Sequence, residues 1–471
     1  MNRQNELTSL HGRRVTVLGL GRFGGGVAVT RFLAGQGARV TVTDLADESV
    51  LSDSLNAVAD LTLEGVFLGE HPDAAFRDCE VVVVNPGIPP NADVWQRVPR
   101  VSLITSELEM FVHRCPAPVV AVTGSNGKST TAALIHHLLM ECGQRSWLGG
   151  NIGVSLLPHL GEMDANDYVV LEVSSFQLER LRQANFSPQI AVLTQFAPNH
   201  LDWHGAIDAY RTAKQVLFDR QTMQSLAVLP ADADVNVPGC SPPAWRIRGR
   251  LQRFGSRDTG EDGVFAEDGS LLFRRPGIED ALRIPSCPGL PGVHNLENLA
   301  AASSVLWEVG GEPASIVNAA SSFESLPHRL QQIAQTSSHS FVNDSVATTP
   351  ESVIAALRTV AGPISIIAGG ADKGVDLSSM AEVIAENTVG CVLIGQTSSQ
   401  LFRLLQKAAD GGFPVASAGG IVAAVDEAAR QLATGGTVLL SPGCASYGMF
   451  RDYRDRGDQF TIAARKWAAS G

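Results

Sequence analysis

The stretch AVTGSNGKSTT, residues 121–131, decides the fold of the central part of the chain. A β-branched run ends in two glycines, Gly124 and Gly127, and a lysine with three hydroxyl residues follows before a helical pattern begins. This segment offers backbone N–H groups at the glycines, and an ammonium and a hydroxyl at a helix N-terminus. Such groups suit the binding of a nucleoside triphosphate with Mg²⁺. The common pattern G-x-x-x-x-G-K-[ST] has a longer spacing between its glycines. The stretch therefore predicts a phosphate-binding loop of a shortened type, and the alternative is a tight strand-to-helix turn without a ligand.

The composition indicates a globular protein of several domains. The chain has 471 residues, of which 44% are hydrophobic and 18% charged, and this length suits two to four domains. The apolar runs are strand-sized and shorter than the ~18 residues of a membrane span, and residues 1–14 have no apolar region of the kind that directs secretion. We therefore expect a cytoplasmic protein without membrane insertion.

The net charge and the cysteine content argue against nucleic-acid-binding and zinc-binding proteins. A net charge of -12 disfavours a nucleic-acid partner. Seven cysteines without a C-x-x-C pair indicate reduced thiols and no zinc site. We expect a monomer.

Short β-branched runs, each followed by a helical stretch, recur along the chain. They end in glycine, asparagine or an acid, and are RVTVLGLG, RVTVTD, EVVVVNPG, PVVAVTG, YVVLEVSS, IAVLTQF, PISIIAGG, CVLIGQ and TVLLSPG. Continuous apolar runs of this kind are typical of parallel strands covered on both faces by helices. In such sheets ligands bind beyond the carboxyl ends of the strands, where the polar residues of this sequence lie.

We predict three α/β domains. Prolines precede a new strand at residues 113–120, and a helical stretch gives way to a proline turn at 322–330. The predicted domains are residues 1–112, 113–325 and 326–471. Residues from about 225 to 290 are rich in Gly, Pro, Asp and Arg, which indicates an irregular or antiparallel insert.

The first domain opens with GLGRFG, residues 19–24, after a strand, and Asp44 closes the next strand. This is the dinucleotide fingerprint, in which a helix N-terminus receives a diphosphate and the acid a ribose. Alone it favours an NAD site, with a structural glycine turn as the alternative. Any nucleotide diphosphate could use the same geometry.

Nine further stretches identify a family. They are GGNIG (149–153), LEVSSFQLE (171–179), PNHLDWHG (198–205), YRTAK (210–214), HNLENLAAA (294–302), LPHR (326–329), NDSVAT (343–348), AGGADKG (368–374) and SPGCAS (441–446). With the shortened loop T-G-x-N-G-K-[ST]-T they resemble the Mur ligases over nearly the full length. SSFQLE is characteristic of the glutamate-adding branch. The resemblance implies a Rossmann-like N-terminal domain, a central P-loop-type ATPase domain and a Rossmann-like C-terminal domain.

The resemblance implies an ATP-dependent ligase of cytoplasmic peptidoglycan synthesis, and with it a role in cell shape and division. ATP would convert the carboxylate of UDP-N-acetylmuramoyl-L-alanine into an acyl phosphate, which the amine of D-glutamate attacks. Alternatives are ligation of L-glutamate, a folylpolyglutamate synthase, an NAD dehydrogenase resting on GLGRFG alone, and a nucleotide-binding scaffold without catalysis. We expect ATP and two Mg²⁺ ions as cofactors and no NAD.

The metal and catalytic residues follow from the same resemblance. Glu172, at the end of a strand, would hold Mg²⁺ with Ser129, although it could simply cap the strand. His200, placed at the end of the next strand, resembles the ligand of a second Mg²⁺. Lys214 corresponds to a lysine that CO₂ converts into a metal-binding carbamate, whereas the ordinary alternative is a solvated lysine on a helix surface. The predicted catalytic residues are Lys128, His200 and Lys214.

Substrate contacts are implied for residues in all three domains. Those for ATP are Gly124, Ser125, Asn126, Gly127, Lys128, Ser129, Thr130, Asn295, Asn298, Arg329 and Asp344. The two asparagines could instead cap a helix. Those for the UDP substrate are Gly21, Arg22, Phe23, Asp44, Gly87 and Asn151. Those for glutamate are Thr348, Lys373, Ser446 and Tyr453, since a dianionic amino acid calls for a cation with hydroxyl and amide donors.

Two positions depart from the family pattern. The family lysine of NDSKATN is Val346 here, which removes a positive charge near the phosphate and amino-acid sites. The acid-x-arginine ending of the UDP-binding strand reads Asp44-Leu45-Ala46. The first departure leaves the enantiomer of glutamate open. The second suggests that the nucleotide is held by backbone amides and Arg22.

Overall fold

The computed structural model describes residues 7, 9–22, 24–236, 244–287, 289–290, 292–372 and 374–470. These residues form three sheets within two compact units. The first unit comprises Met1–Pro285 with Leu296–Ala320, and the second comprises Ser286–Asn295 with Ser321–Gly471. The α/β class is confirmed, while the three domain boundaries stay a prediction.

The first unit begins with a five-stranded sheet. Its strands are β1 (Arg14–Leu18), β2 (Arg39–Asp44), β3 (Gly65–Leu68), β4 (Val81–Val84) and β5 (Leu103–Thr105). Helices associated with it are α1 (Gly25–Gly35), α2 (Glu48–Asn56) and α3 (Glu107–Val112). The spatial order is β3-β2-β1-β4-β5, and every pair is parallel. The four valines of β4 are all buried, as expected for a strand covered on both faces.

A nine-stranded sheet follows in the same unit. Its strands are β6 (Val119–Thr123), β7 (Ser146–Gly150), β8 (Tyr168–Glu172), β9 (Ile190–Leu193), β10 (Leu226–Pro230), β11 (Arg250–Gly255), β12 (Gly263–Glu267), β13 (Ser270–Arg275) and β14 (Ile278–Arg283). Its helices are α4 (Lys128–Glu141), α5 (Ser175–Leu181), α6 (Leu201–His204), α7 (Ile207–Gln215), α8 (Val293–Glu308) and α9 (Pro313–Ala320). The order is β14-β13-β12-β11-β10-β9-β6-β8-β7.

The predicted insert at residues 225–290 is only partly antiparallel. β10, β11 and β12 extend the sheet in parallel pairing, and antiparallel pairing begins at β12–β13 and continues to β14. The difference has a physical reason, because Leu226–Leu229 are all fully buried and form a core strand like those before them. The abundant glycines and charges lie in the more exposed strands and turns that follow.

The second unit contains a six-stranded sheet. Its strands are β15 (Gln331–Gln335), β16 (His339–Asn343), β17 (Ile364–Ala368), β18 (Gly390–Leu393), β19 (Val415–Ser417) and β20 (Gly436–Leu440). Its helices are α10 (Pro350–Leu357), α11 (Ser378–Asn387), α12 (Ser398–Ala408), α13 (Ile421–Gln431) and α14 (Tyr453–Ser470). The order is β15-β16-β20-β17-β18-β19, and only the edge pair β15–β16 is antiparallel. Two separate clusters of buried apolar residues include side chains of these strands and helices.

The topology gathers the loops that carry the predicted site. In the second sheet β6 lies between β8 and β9, so Thr123, Glu172 and Leu193 end neighbouring parallel strands. Loops that leave such carboxyl ends lie at one edge of the sheet. Within the described residues, no helix combines the length and apolar character of a bilayer-spanning segment.

Candidate active site

The predicted phosphate loop joins β6 to α4 and depends on its two glycines. Gly124 has a φ of 154° and Gly127 a φ of 82°, in the region that side chains rarely adopt. A Cβ atom at Gly124 would lie 1.9 Å from Thr194 Oγ1, and one at Gly127 would lie 2.5 Å from Asn298 Oδ1. Conformation and space therefore both require glycine at these positions.

The segment after β9 holds this loop in place. The backbone N–H of Ser125 donates to Gln195 O over 2.7 Å, and the Ser125 hydroxyl donates to Ala197 O over 2.6 Å. The same hydroxyl lies 3.0 Å from the Tyr210 hydroxyl, and Asn126 pairs with Gln195 in an isolated bridge. Ser125 thus shapes the loop from within, and its predicted contact with ATP stays a prediction.

Lys128 begins α4, and its ammonium nitrogen donates to Ser125 O over 2.8 Å. Ser129 is half-buried and Thr130 is buried in the same first turn. The Thr131 hydroxyl donates to Asn298 Oδ1 over 3.1 Å. These contacts place a cation and a hydroxyl at a helix N-terminus directly after the glycine turn, which is the arrangement that binds phosphate.

Asn295 and Asn298 are buried in the first two turns of α8, which begins at Val293. Neither residue precedes the helix, so the capping alternative does not apply. Asn298 belongs to the first unit and contacts the phosphate loop through Thr131, whereas Asn295 belongs to the second unit. Their predicted contact with adenine stays a prediction.

Glu172 ends β8 and is only 2% exposed. Its Oε1 atom accepts a hydrogen bond from Asn151 Nδ2 over 2.8 Å, and the Asn151 N–H donates to the Glu172 carbonyl. Its Oε2 atom is buried and has no hydrogen-bond partner among the described residues. Because a buried carboxylate oxygen without a partner is costly, this atom points to a cation that completes the site.

Lys214 lies in α7 and is 1% exposed, so the alternative of a solvated surface lysine is wrong. Its Nζ atom donates to Gly124 O over 2.6 Å and lies 4.5 Å from the centre of the Tyr210 ring. Burial lowers the pKa of Lys214 well below its usual value, Lys128 lowers it further, and Glu172 opposes both effects. The pKa shift favours the neutral amine.

His200 lies in the loop after β9 and not at the strand end, because β9 ends at Leu193. It is exposed and has a φ of 54°, and its backbone N–H donates to Asn199 Oδ1 over 2.8 Å. The edge of its ring packs against Phe176 at a centroid distance of 4.9 Å. The turn thus presents the His200 ring beside the SSFQLE helix α5.

Sequence reasoning missed two ring residues next to His200. His204 Nε2 lies 2.9 Å from Ser175 Oγ, and the His204 ring stacks on Phe176. Tyr210 is 1% exposed and contacts both the loop serine, Ser125, and Lys214. Both lie within motifs used to recognise the family, PNHLDWHG and YRTAK, but nothing in their spacing indicates these contacts.

The GLGRFG turn of the first sheet is held by the acid of the next strand. Asp44 Oδ2 accepts the Gly21 N–H over 2.9 Å, and Asp44 Oδ1 accepts the Ala46 N–H over 2.9 Å. A Cβ atom at Gly19 would lie 2.7 Å from Asn85 Cβ, which brings the turn against the loop after β4. Arg22 is exposed on the turn, and Phe23 lies outside the described residues.

Gly87 lies in the loop after β4, and its N–H donates to Asn85 Oδ1 over 3.0 Å. Arg180, which sequence reasoning missed, joins this loop to α5. Its guanidinium donates to Ile88 O and lies 5.1 Å from the centre of the Trp95 ring. The structure thus connects the predicted UDP loops of the first sheet to the helix of the SSFQLE motif.

Asp344 follows β16 in the second unit and is 5% exposed. Its Oδ1 atom accepts the Leu330 N–H over 3.2 Å, and its Oδ2 atom accepts the Ser441 hydroxyl over 2.8 Å. Burial raises the pKa of Asp344 to about 7, while Ser441 and the charge of Arg329 oppose the shift. Arg329 is half-buried after the proline turn.

The residues predicted to bind glutamate belong to segments of the second unit, two of which are hydrogen-bonded to each other. Thr348 is half-buried in the loop after β16, and Tyr453 begins α14. Ser446 is buried in the loop that follows β20 and is not itself at the strand end. The Ala371 N–H donates to Ala445 O over 2.8 Å, which joins AGGADKG to SPGCAS. Lys373 lies outside the described residues.

The fold and the phosphate loop define a nucleotide-binding α/β protein. Three family models match in chain order: the N-terminal domain of MurD-like Mur ligases at residues 13–101, the Mur ligase middle domain at 122–306 and the Mur ligase glutamate ligase domain at 328–444. A UDP-N-acetylmuramoylalanine--D-glutamate ligase of Roseiflexus sp. (strain RS-1) is 38% identical over 470 residues, with 96% of this chain and 98% of the relative covered. One of Geobacter metallireducens is 37% identical, with 96% and 97% covered. The chain belongs to the Mur ligase family.

Solved structures agree on the fold. A MurF ligase of Thermotoga maritima in complex with ADP aligns with a TM-score of 0.56 at 17% identity, covering 98% of this chain and 100% of that one. A MurF of Acinetobacter baumannii aligns with a TM-score of 0.60 at 17% identity, covering 98% and 97%.

Proposed function

We propose that the protein joins D-glutamate to UDP-N-acetylmuramoyl-L-alanine with cleavage of ATP to ADP and phosphate, as a cytoplasmic enzyme of peptidoglycan synthesis. The observation that carries the proposal is a pair of buried groups at the phosphate loop. Lys214 donates to Gly124 O, and Glu172 has a buried oxygen without a hydrogen-bond partner in the part of the chain that the structure describes. A nucleotide-binding scaffold without catalysis has no use for these two costly buried groups. The near full-length similarity to the D-glutamate ligases supports the choice of substrates.

The reaction has two steps. A carboxylate oxygen of the alanine attacks the γ-phosphorus of ATP, and ADP leaves with the electron pair of the broken P–O bond. The glutamate amine then attacks the acyl carbon, phosphate leaves, and the amine loses a proton. Loop N–H groups and the Lys128 ammonium stabilise the negative charge that accumulates when two anions approach.

The donor set fits Mg²⁺, with Ser129, Glu172, His200 and a modified Lys214 as the proposed ligands for two ions. The described residues contain no group of three or more His, Cys, Asp or Glu side chains placed to hold a metal ion. A hydroxyl, the phosphates and the modified lysine are therefore proposed as the further oxygen ligands. Bound Mg²⁺ would neutralise phosphate charge. Glu172 Oε2 is suited to hold it, because this buried oxygen has no hydrogen-bond partner among the residues that the structure describes.

Lys214 is proposed to carry a carbamate. Its neutral amine attacks the carbon of CO₂, a C–N bond forms, and the departing N–H proton goes to water. The buried setting favours this reaction because it lowers the pKa of the amine. The product carries negative charge next to Lys128, where an ammonium would be repelled.

Substrate binding is proposed for loops of both units. Gly21, Arg22, Gly87 and Asn151 would contact the UDP substrate. Thr348, Ser446, Lys373 and the backbone at Tyr453 would contact glutamate, and Arg329 and Asp344 would contact ATP. NAD is not proposed, because residues 13–101 match the N-terminal domain of MurD-like Mur ligases. We further propose a monomer.

Phosphate release in the presence of ATP, Mg²⁺ and UDP-N-acetylmuramoyl-L-alanine tests the proposal. We expect release with D-glutamate and none with L-glutamate. Release with L-glutamate alone would favour the second candidate function, the ligation of L-glutamate. Val346 in place of the family lysine keeps this alternative open. No release with either enantiomer would contradict the ligase function.

A further inference from the structure

Three segments of the second unit carry the described residues that are proposed to bind the substrate glutamate. They are residues 344–348 after β16, residues 441–446 after β20, and the start of α14. The Ser345 hydroxyl donates to Tyr453 O over 2.7 Å, and Asn343 Nδ2 donates to Gly457 O over 2.8 Å. These bonds tie the first segment, and the end of β16 that precedes it, to the helix. Residues 441–446 are bonded to the first segment by the Ser441 hydroxyl, which donates to Asp344 Oδ2 over 2.8 Å, and by the Gly443 N–H, which donates to Ala347 O over 2.9 Å. One further side chain, which the sequence motifs do not single out, contacts all three segments.

That side chain is Arg456, in the first turns of α14, which is 0% exposed. Its Nε atom donates to Ser345 Oγ over 3.0 Å and its Nη2 atom to Ser345 O over 2.8 Å. Its Nη1 atom donates to Cys444 O over 3.1 Å. One guanidinium group therefore spans all three segments, since it projects from the helix and holds both loops.

The environment of Arg456 is unusual for a buried charge. Its hydrogen-bond acceptors are a hydroxyl and two carbonyl oxygens, and no carboxylate of the described residues forms an ion pair with it. Burial lowers the pKa of Arg456 to about 10, so the group stays charged at neutral pH. Buried charges are ordinarily paired, because an uncompensated one is costly.

We propose that Arg456 is a positioning residue for the glutamate site, whose buried positive charge is kept without an acidic partner because the dianionic amino acid offsets it. The proposal rests on the proposed function. The proposal identifies a buried positive charge that contacts the segment NDSVAT at Ser345, next to the position where the family lysine is replaced by Val346. Arg456 acts through the segments it holds and through its field.

A purely structural role would give a different kinetic result. A side chain that only stabilises the fold lowers the amount of active protein and leaves each KM unchanged. A residue that positions the glutamate segments changes the KM for glutamate and leaves the KM for ATP and for the UDP substrate unchanged. The split between the three KM values therefore separates the two roles.

The test compares Arg456→Met, Arg456→Lys and the wild type in steady-state phosphate release. Arg456→Met should raise the KM for D-glutamate by at least about tenfold, since hydrogen bonds made by a charged group are lost. Arg456→Lys should recover part of the loss, because it keeps the charge but not the fork geometry. Arg465→Met, which removes an exposed arginine from the same helix, is the control and should leave all three KM values unchanged.

A second pair of variants keeps the test valid if Arg456→Met does not fold. Ser345→Ala removes the hydroxyl that joins Arg456 to Tyr453, and should raise the KM for D-glutamate about fivefold. Ser365→Ala is the matched control, because Ser365, in β17 of the same unit, is equally buried and its hydroxyl donates to Gln431 Oε1 over 2.7 Å. The control should lose similar stability without a change in KM.

The outcomes separate the two proposals. One outcome is that the wild type releases phosphate, and that Ser345→Ala and each folded Arg456 variant have an unchanged KM for glutamate. This outcome would overturn the role of Arg456 but not the proposed function. Equal changes in all three KM values would do the same. A wild type that releases no phosphate with either enantiomer would overturn the proposed function and the role of Arg456 with it.

Discussion

The side-chain nitrogen of Lys214 donates a hydrogen bond to the carbonyl oxygen of Gly124 over 2.6 Å, although the two residues are 90 positions apart in the chain. Gly124 is the first residue of the phosphate loop, so the lysine contacts the backbone that ATP is proposed to approach. Any change in the charge of Lys214 therefore acts directly on this loop.

Lys214→Ala should be nearly inactive, because it removes the proposed carbamate and its oxygen ligands. Acetate or formate should restore part of the activity, since a small carboxylate can enter the vacated space and supply negative charge. Phosphate release with each salt measures the rescue. Wild-type protein given isotope-labelled bicarbonate should also show a carbamate signal by NMR, which Lys214→Ala should lack.

Chloride at matched ionic strength controls for screening of the surrounding charges. Rescue by chloride equal to that by acetate, or full activity of the untreated variant, would show that Lys214 carries no carbamate.

Lys128→Ala should lower turnover by at least ~100-fold, because an electrostatic donor that acts on developing phosphate charge is lost. Small carboxylates should not rescue it, since a cation and not an anion is missing. Lys407→Ala, at an exposed position in the last turn of α12, is the control and should keep full turnover. Near-normal phosphate release by Lys128→Ala would show that Lys128 is not a catalytic residue.

The GLGRFG turn should bind a uridine nucleotide and ignore NAD. The reason is that residues 13–101 match the N-terminal domain of MurD-like Mur ligases, for which a UDP substrate is proposed here. Asp44 Oδ2 accepts the Gly21 N–H of the turn, and Asp44 Oδ1 accepts the N–H of Ala46 after β2. Calorimetric titration with UDP-N-acetylmuramoyl-L-alanine, UDP and NAD measures the preference. Tighter binding of NAD than of UDP would contradict the proposed role of the first sheet.

Asp344 should make the free energy of unfolding fall as the pH rises from about 4 to about 7. The buried carboxyl has a pKa of about 7 in the folded protein and 3.8 as its ordinary value, so the folded state holds the proton that the unfolded state has lost. Relative to Asp344→Asn, the wild type should lose up to roughly 4 kcal/mol across this range. Urea unfolding at several pH values measures the difference.

Asp426→Asn, at an exposed position in α13, is the control for the loss of a carboxylate. Its free energy of unfolding should change with pH in the same way as that of the wild type. A wild-type profile that runs parallel to that of Asp344→Asn would show that Asp344 is ionised throughout.

Local sequence carries much of the fold. Runs such as Val81–Val84 and Leu226–Leu229 are apolar at every position, and a strand with no polar face must be covered on both sides wherever it lies. The glycine turn between β6 and α4 was equally predictable, because its two glycines, Lys128 and Ser129 lie within six residues of one another in the chain. The parallel strand pairing of residues 226–265 was not, because the loops around it are rich in residues that favour turns.

Burial and pairing of the site residues were decided by the tertiary structure. The sequence alone indicated that Lys214, Glu172 and Asn151 occur in motifs of a known family. It did not indicate that the lysine is 1% exposed, or that one oxygen of the acid has no hydrogen-bond partner within the described ranges. Arg456 carried no signal at all, since its partners Ser345 and Cys444 come from loops after two other strands. A sequence determines which groups are present, whereas their charge state depends on desolvation and on neighbours that only the folded chain brings within hydrogen-bonding distance.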